Sequence, residues 1–337
     1  MKKQILSLLF FILLFAGLST AAESVVYLTT LSTSHTHTGM RQTQSGLFYQ
    51  TVGDTSWNLL GRPNNRVYDV DIYKPSKGKI IALATHTGVH QSRDGGKTWK
   101  VTSDWRMTEV NCIRIHPDNP DIIYASTPYG FYKTLDNGKT WIRYNQGLDN
   151  VDATYVSRII LDKKSPDSIF ISTEDGVYHS SDDGITWTHT GINVRNIRTI
   201  VQHPDKPDIL MAGTEENGLY VSLDHGKHWQ RRDTGLLQDT IYGITFDPSH
   251  PDTVYAGGFQ TGIYKSIDGG KIWKQYFDGL TDLDIHAIAV DPNDSNIVYA
   301  GSVESGVYRS TDGGETWNFA GIKGGYVWSA YIYTWEE

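Results

Sequence analysis

A tryptophan returns seven times at a nearly constant interval. Trp57, Trp99, Trp141, Trp187, Trp229, Trp273 and Trp317 each lie eleven positions after a glycine (Gly46, Gly88, Gly130, Gly176, Gly218, Gly262 and Gly306), with successive tryptophans 42, 42, 46, 42, 44 and 44 residues apart. A unit of roughly 40–50 residues cannot bury its own apolar face, so the copies must pack on one another. Glycine accounts for 33 of the 337 residues, the supply of permissive corners that many short strands require. A hydrophobic share of 39% with 12% aromatics excludes a disordered chain and a fibrous rod.

Between each glycine and its tryptophan lies one local pattern, as in SRDGGKTW from Ser92 to Trp99 and STDGGETW from Ser310 to Trp317. It spells a hairpin: the Asp accepts from backbone N–H groups further along the turn, Gly adopts positive φ, and the hydroxyl closes the turn. The tryptophan is expected to pack over that turn and lead the next strand. Asp94, Asp136, Asp182, Asp224, Asp268 and Asp312 fill the Asp position; His228 and Ile272 replace the Thr in two copies, and Val52 replaces the Asp in the first. The pattern S/T-x-D-x-G-x-T-W resembles the Asp-box, or BNR, repeat. Six acids repeating for a folding reason read as structural rather than catalytic.

A second column of apolar residues lies upstream. Val67, Val110, Val156, Ile197, Ile241, Ile285 and Val327 each open an apolar strand that runs three residues on to Val70, Ile113, Ile159, Ile200, Ile244, Ile288 and Ala330. Each unit therefore holds four strands: inner, second, Gly-led third and Trp-led outer. The first unit, Val25 to Leu60, has no inner strand, and the tail supplies one over 327–333. Joining the two closes a ring and removes the open sheet edge. The expected fold is all-β: a single seven-bladed β-propeller spanning 23–337, with four-stranded blades.

Lys2 and Lys3, an apolar run from Ile5 to Leu18 and the small residues Ser19 to Ala22 have the order of a secretory signal, 1–22. A secreted or periplasmic protein follows, with no membrane span after cleavage. The 30 basic against 38 acidic residues, net charge -8, argue against a nucleic-acid partner. Cys112 is the sole cysteine and falls in an inner-strand slot shared with the small residues Thr199, Gly243, Ala287 and Ser329, which suggests a buried thiol. His35 and His37 alternate in a long loop, but no carboxylate or thiol lies near them to complete a metal site. No cofactor or metal is expected, and the protein is expected to be a monomer.

Function belongs where the repeats differ, on the loops that enter each inner strand and join the second strand to the third. The residue just after each strand opening runs, around the ring, Trp328, Tyr68, Asn111, Ser157, Arg198, Tyr242 and His286. Four consecutive blades thus offer an aromatic arc of Tyr242, His286, Trp328 and Tyr68. Arg66, Tyr155, Asn196, Asp284 and Tyr326 precede it by one residue, and Trp105, Arg106, Glu215, Glu216, Phe259 and Glu304 lie on nearby loops. The candidate ligand-binding set is Tyr68, Tyr242, His286, Trp328, Arg66, Arg198 and Trp105, with the alternative that the rings merely fill the axial channel.

Proteins with Asp-box propellers include sialidases, xyloglucan-cleaving glycosidases, sortilin-type receptors and the photosystem II assembly and stability factor. The chain is most similar to the last group in length, leader and blade count. That resemblance implies a non-catalytic binding or assembly role toward a protein segment or glycan. It also implies an arginine patch, for which Arg66, Arg106, Arg158, Arg195 and Arg198 are the candidates. A glycoside hydrolase is the alternative. It needs two carboxylates about 5–10 Å apart, with Asp69, Asp71, Asp104, Asp284 and Glu304 available. The Arg-Ile-Pro element of sialidases is reduced here to Gly61-Arg62-Pro63.

Overall fold

The computed structural model describes residues 22–31, 45–76, 80–237 and 240–335. The leader through residue 21 and the pair His35 and His37 lie outside them. The described residues form seven antiparallel sheets of four strands each, the expected seven-bladed propeller. Blades are numbered along the chain. The inner strands of blades 2 to 7 are Val67–Ile72, Cys112–Ile115, Val156–Asp162, Ile197–Gln202, Ile241–Phe246 and Ile285–Asp291. Blade 1 consists of Glu23–Leu31, Gly46–Thr51 and Asn58–Leu60, and its inner strand is the C-terminal Tyr326–Trp335. Glu23 pairs with Trp335 at one end of that seam and Leu31 with Tyr326 at the other, so the two ends of the chain close the ring.

Packing between blades explains the apolar columns. Val67, Val70 and Ile72 bury their side chains against Val25, Tyr27, Tyr333 and Trp335 of blade 1, and each later blade leans on its predecessor in the same way. The small-residue slot faces the other direction, onto the inner strand of the next blade. A Cβ added to Gly243 would lie 2.6 Å from the His286 carbonyl oxygen. In blade 3 the same slot holds the fully buried Cys112, whose sulfur accepts from the Ile159 amide at 3.4 Å.

The Asp-box turns have the expected chemistry. Asp94 Oδ1 accepts from the Thr98 amide (2.9 Å) and Oδ2 from its hydroxyl (2.6 Å), while Ser92 Oγ donates to Asp94 and accepts from the Gly96 amide. These bonds hold the Asp94 carboxyl down at about 2. In blade 5, His228 takes over from the missing Thr with Nδ1 2.5 Å from Asp224 Oδ2. The tryptophans extend the expectation. In five copies the indole reaches across to the preceding blade, as where Trp141 Nε1 donates to the Thr102 carbonyl, Trp187 to Tyr144 and Trp57 to Ala320 of blade 7, whereas Trp99 Nε1 donates to Gly96 in its own turn. The turn and the inter-blade seam are thus fastened by one motif.

Asp268 serves only its own turn, accepting from Ser266 Oγ, the Lys271 amide and the Ile272 amide at 2.7, 3.0 and 3.1 Å. Asp268→Ala is expected to lower stability by about 1–3 kcal/mol and leave ligand binding unchanged, measured by urea denaturation beside a binding titration. Loss of binding at full stability would move function to this face.

Candidate functional site

Six of the seven inner strands carry an irregularity that the pleat does not require. In blade 2 Val67 pairs with Thr85 and Asp69 with Ala84, leaving Tyr68 without a cross-strand partner. The same skip strands Ser157, Arg198, Tyr242, His286 and Trp328. A β-bulge re-aims the side chain it frees, and here the freed residues are the ring read from the sequence. In blade 3 the regular strand begins only at Cys112, so Asn111 precedes it, with its amide still bonded to the Ser126 carbonyl.

The bulges converge on a cavity of about 260 Å³ at one mouth of the axial channel, whose walls include Tyr155, Tyr242, His286, Tyr326 and Trp328. Its rings form one continuous array. Tyr242 stacks on His286 with centroids 4.1 Å apart, His286 meets Trp328 at 5.4 Å, and Tyr68 meets Trp328 edge-on at 5.9 Å. Tyr326 completes it, 5.3 Å from His286 and 5.5 Å from Trp328. All five are half-buried; Tyr242, His286, Tyr326 and Trp328 line the cavity, whereas Tyr68 is not among its walls.

Loop geometry sets the polar rim. A one-turn helix, Val151–Thr154, capped by Asn150, delivers Tyr155 to the wall. Asn196 adopts a left-handed φ of 57°, and its amide donates to the Glu174 carbonyl while its carbonyl accepts from the Glu215 amide. Both glutamates therefore flank Arg198: Nε donates to Glu215 Oε2 at 2.7 Å, and Nη1 lies 3.7 Å from Glu174 Oε1. Burial, reinforced by the Arg158 cation, pushes the His286 imidazole down to about 4, so it is neutral at physiological pH and hydrogen-bonds as such.

Other candidates separate from this cup. Arg66 is exposed on the loop beside Tyr68. Trp105 does not join the site: it is 84% exposed and lines a different groove with Tyr129, Trp141 and Arg143, because the loop before blade 3 folds outward over that blade. The five arginines of the expected patch do not all meet: Arg158 and Arg198 line the cup, and most of the set is engaged by carboxylates. Arg106 pairs with Asp104, Arg195 with Asp152 and Asp175, and Arg198 with its two glutamates.

Nor do the candidate carboxylates form one group. Asp69 is fully buried; it accepts from the Ile113 amide (3.1 Å), Arg114 Nη1 (2.6 Å) and Tyr331 Oη (2.5 Å). Burial alone would raise its pKa, but Arg114 and Arg158 hold it below the usual carboxylate range. Asp71 accepts from the Ile115 amide at 2.7 Å and from Tyr333 Oη at 3.2 Å. Both acids bind the edge of the neighbouring blade's inner strand. Asp284 stands at the rim, its pKa raised by partial burial and by Asp282 and Glu304. Its Oδ1 accepts from the Gln260 amide at 2.6 Å.

With this geometry in view, the chain can be set beside known proteins. The model of the family described as sortilin, neurotensin receptor 3 matches residues 175–262, and that of the BNR/Asp-box repeat matches 308–319. No curated protein matches the chain. Among solved structures, YCF48 bound to D1 peptide shares 17% identity at a TM-score of 0.58, covering 75% of this chain and 81% of that one. The GH74 xyloglucanase from Xanthomonas campestris shares 15% at 0.64, covering 86% and 51%. An ancestral GH74 enzyme shares 19% at 0.61, covering 79% of this chain and 38% of that one. This chain thus spans about half or less of those glycosidase chains, and at such identities the likeness is one of fold. Sequence motif and architecture agree: the chain is an Asp-box seven-bladed β-propeller.

Proposed function

We propose that this is an extracytoplasmic, non-catalytic propeller that binds or helps assemble another protein by seating a segment of it in the aromatic cup. The observation that carries the reading is the unbroken, half-exposed array of Tyr242, His286, Tyr326, Trp328 and Tyr68 at the channel mouth. Aromatic rings offer large contact area at low entropy cost and are typical anchors of protein interfaces. The likeness to YCF48, seen with a peptide bound, supports a peptide, while the likeness to GH74 enzymes fits the glycan alternative equally. The apolar leader and a first strand that begins at Glu23 support export.

The test is affinity capture from an envelope fraction with the mature protein and with Trp328→Ala, followed by mass spectrometry. A protein retained by the first and lost by the second is expected, with affinity for that partner reduced by about 2 kcal/mol or more. Trp328→Ala should also cost less stability than Trp273→Ala, since Trp273 is 3% exposed. Retention of polysaccharide alone would replace the peptide with a glycan, and equal capture by both proteins would remove the cup from recognition.

Asp284 favours a second reading, glycoside hydrolysis, because a carboxyl of raised pKa near Asp282 and Glu304 is the kind of group that can act as general acid. Release of reducing sugar from xyloglucan, abolished by Asp284→Asn, would establish it.

A further inference from the structure

Below the cup, the axial channel holds a charge that the protein leaves without a full partner. Arg158 occupies the slot that is small in blades 5, 6, 7 and 1, so its guanidinium extends into the channel and lines both the cup and the cavity beneath. Its side chain is 16% exposed. Nη1 makes no hydrogen bond, and the nearest carboxylate oxygen, Asp69 Oδ1, is 3.6 Å away and already accepts from Tyr331. Asp69 Oδ2 is taken by Arg114 and the Ile113 amide. Two guanidinium groups therefore share one saturated carboxylate. Asp71, further along the same strand, spends its oxygens on the Ile72 and Ile115 amides and on Tyr333.

Beside Arg158 there is room. Thr199, Gly243, Ala287 and Ser329 leave a cavity of about 270 Å³, several times the ~30 Å³ share of one water. A buried cation without a counter-charge is costly, and a guanidinium presents planar donors suited to two oxygens at once. We infer that the axial channel binds a small oxyanion, a carboxylate or phosphate group, held by Arg158 beneath the aromatic cup. The neutral state of His286, to which Arg158 contributes, agrees with a positive field at this depth. The site adjoins the cup, since Arg158, Tyr242 and His286 line both cavities, but it does not depend on a peptide seated there and stands if the peptide reading falls.

The experiment is thermal melting of the full chain titrated with inorganic phosphate or with acetate, at constant ionic strength against chloride. A saturable rise of several degrees is expected with at least one probe, by preferential binding to the folded state. A response to phosphate marks a free inorganic anion as the occupant; a response to acetate alone marks a carboxylate, which a larger ligand could carry. Arg158→Met should melt at or above the wild-type temperature in chloride and lose the response. Arg158→Lys should keep it with a tenfold or greater rise in half-saturating concentration, because a point charge lacks the planar fork. Arg93→Gln, a surface arginine paired with Asp121, should respond as wild type. The inference fails if neither probe gives a saturable rise, if Arg158→Met retains it, or if Arg158→Met melts well below wild type in chloride.

Discussion

A chain ending at Gly325 is expected to lose the folded domain outright rather than shed a tail. The missing strand pairs with Glu23–Leu31 along its length, and it buries Val327, Ala330, Tyr333 and Trp335, none more than 8% exposed. At roughly 1.5–3 kcal/mol for each large apolar side chain, with the ladder and two newly bared sheet edges added, the loss rivals the whole 5–15 kcal/mol that a domain holds in reserve. Circular dichroism and size exclusion should show an unfolded or aggregated product. A soluble truncated chain melting cooperatively at the wild-type temperature would refute closure by the C-terminal strand.

Removing one carboxylate should do nearly as much damage as removing many contacts. Asp69→Ala leaves Arg114 and Arg158 facing each other, with the Ile113 amide and Tyr331 hydroxyl also orphaned. Breaking a buried pair from one side costs about 3–5 kcal/mol, and chemical denaturation should show a loss of that size. Asp69→Asn keeps an acceptor but not the charge, and should recover only a minor part. Adding Arg114→Met to Asp69→Ala should restore part of the stability, since one of the two uncompensated charges goes with it and only Arg158 remains. A loss below about 1 kcal/mol for Asp69→Ala would show that water, not Asp69, balances the two arginines.

The blade count, strand roles and closing strand were legible in the sequence because each follows from a period that seven copies enforce. The bulges were also written there, though less plainly. Val67 and Val70 are both buried three positions apart, whereas an unbroken strand puts like residues on one face every two. Such pairs in register mark a skipped residue, and six of the seven blades skip one there. Asp69 and Arg158 are the two large polar exceptions in the slot that Thr199, Gly243, Ala287 and Ser329 keep small, and that mismatch was the mark of the channel network. Trp105 was placed at the mouth because its loop lies on the correct face. Sequence assigns a loop to a face, but its distance from the axis depends on how it packs, and this one turns outward.

The skipped residue has a consequence for how such a surface can change over time. Trp328, Tyr68, Ser157, Arg198, Tyr242 and His286 sit outside the residue-to-residue pairing of their blades, so the ladder places few demands on their identity. Together with Asn111 they make a seven-letter word, one letter per blade, written on a frame whose spelling is fixed elsewhere. Exchanging a letter alters what the mouth recognises while the seams, turns and closing strand stay as they are. New specificity can therefore arise one blade at a time, without passing through an unfolded intermediate in sequence space.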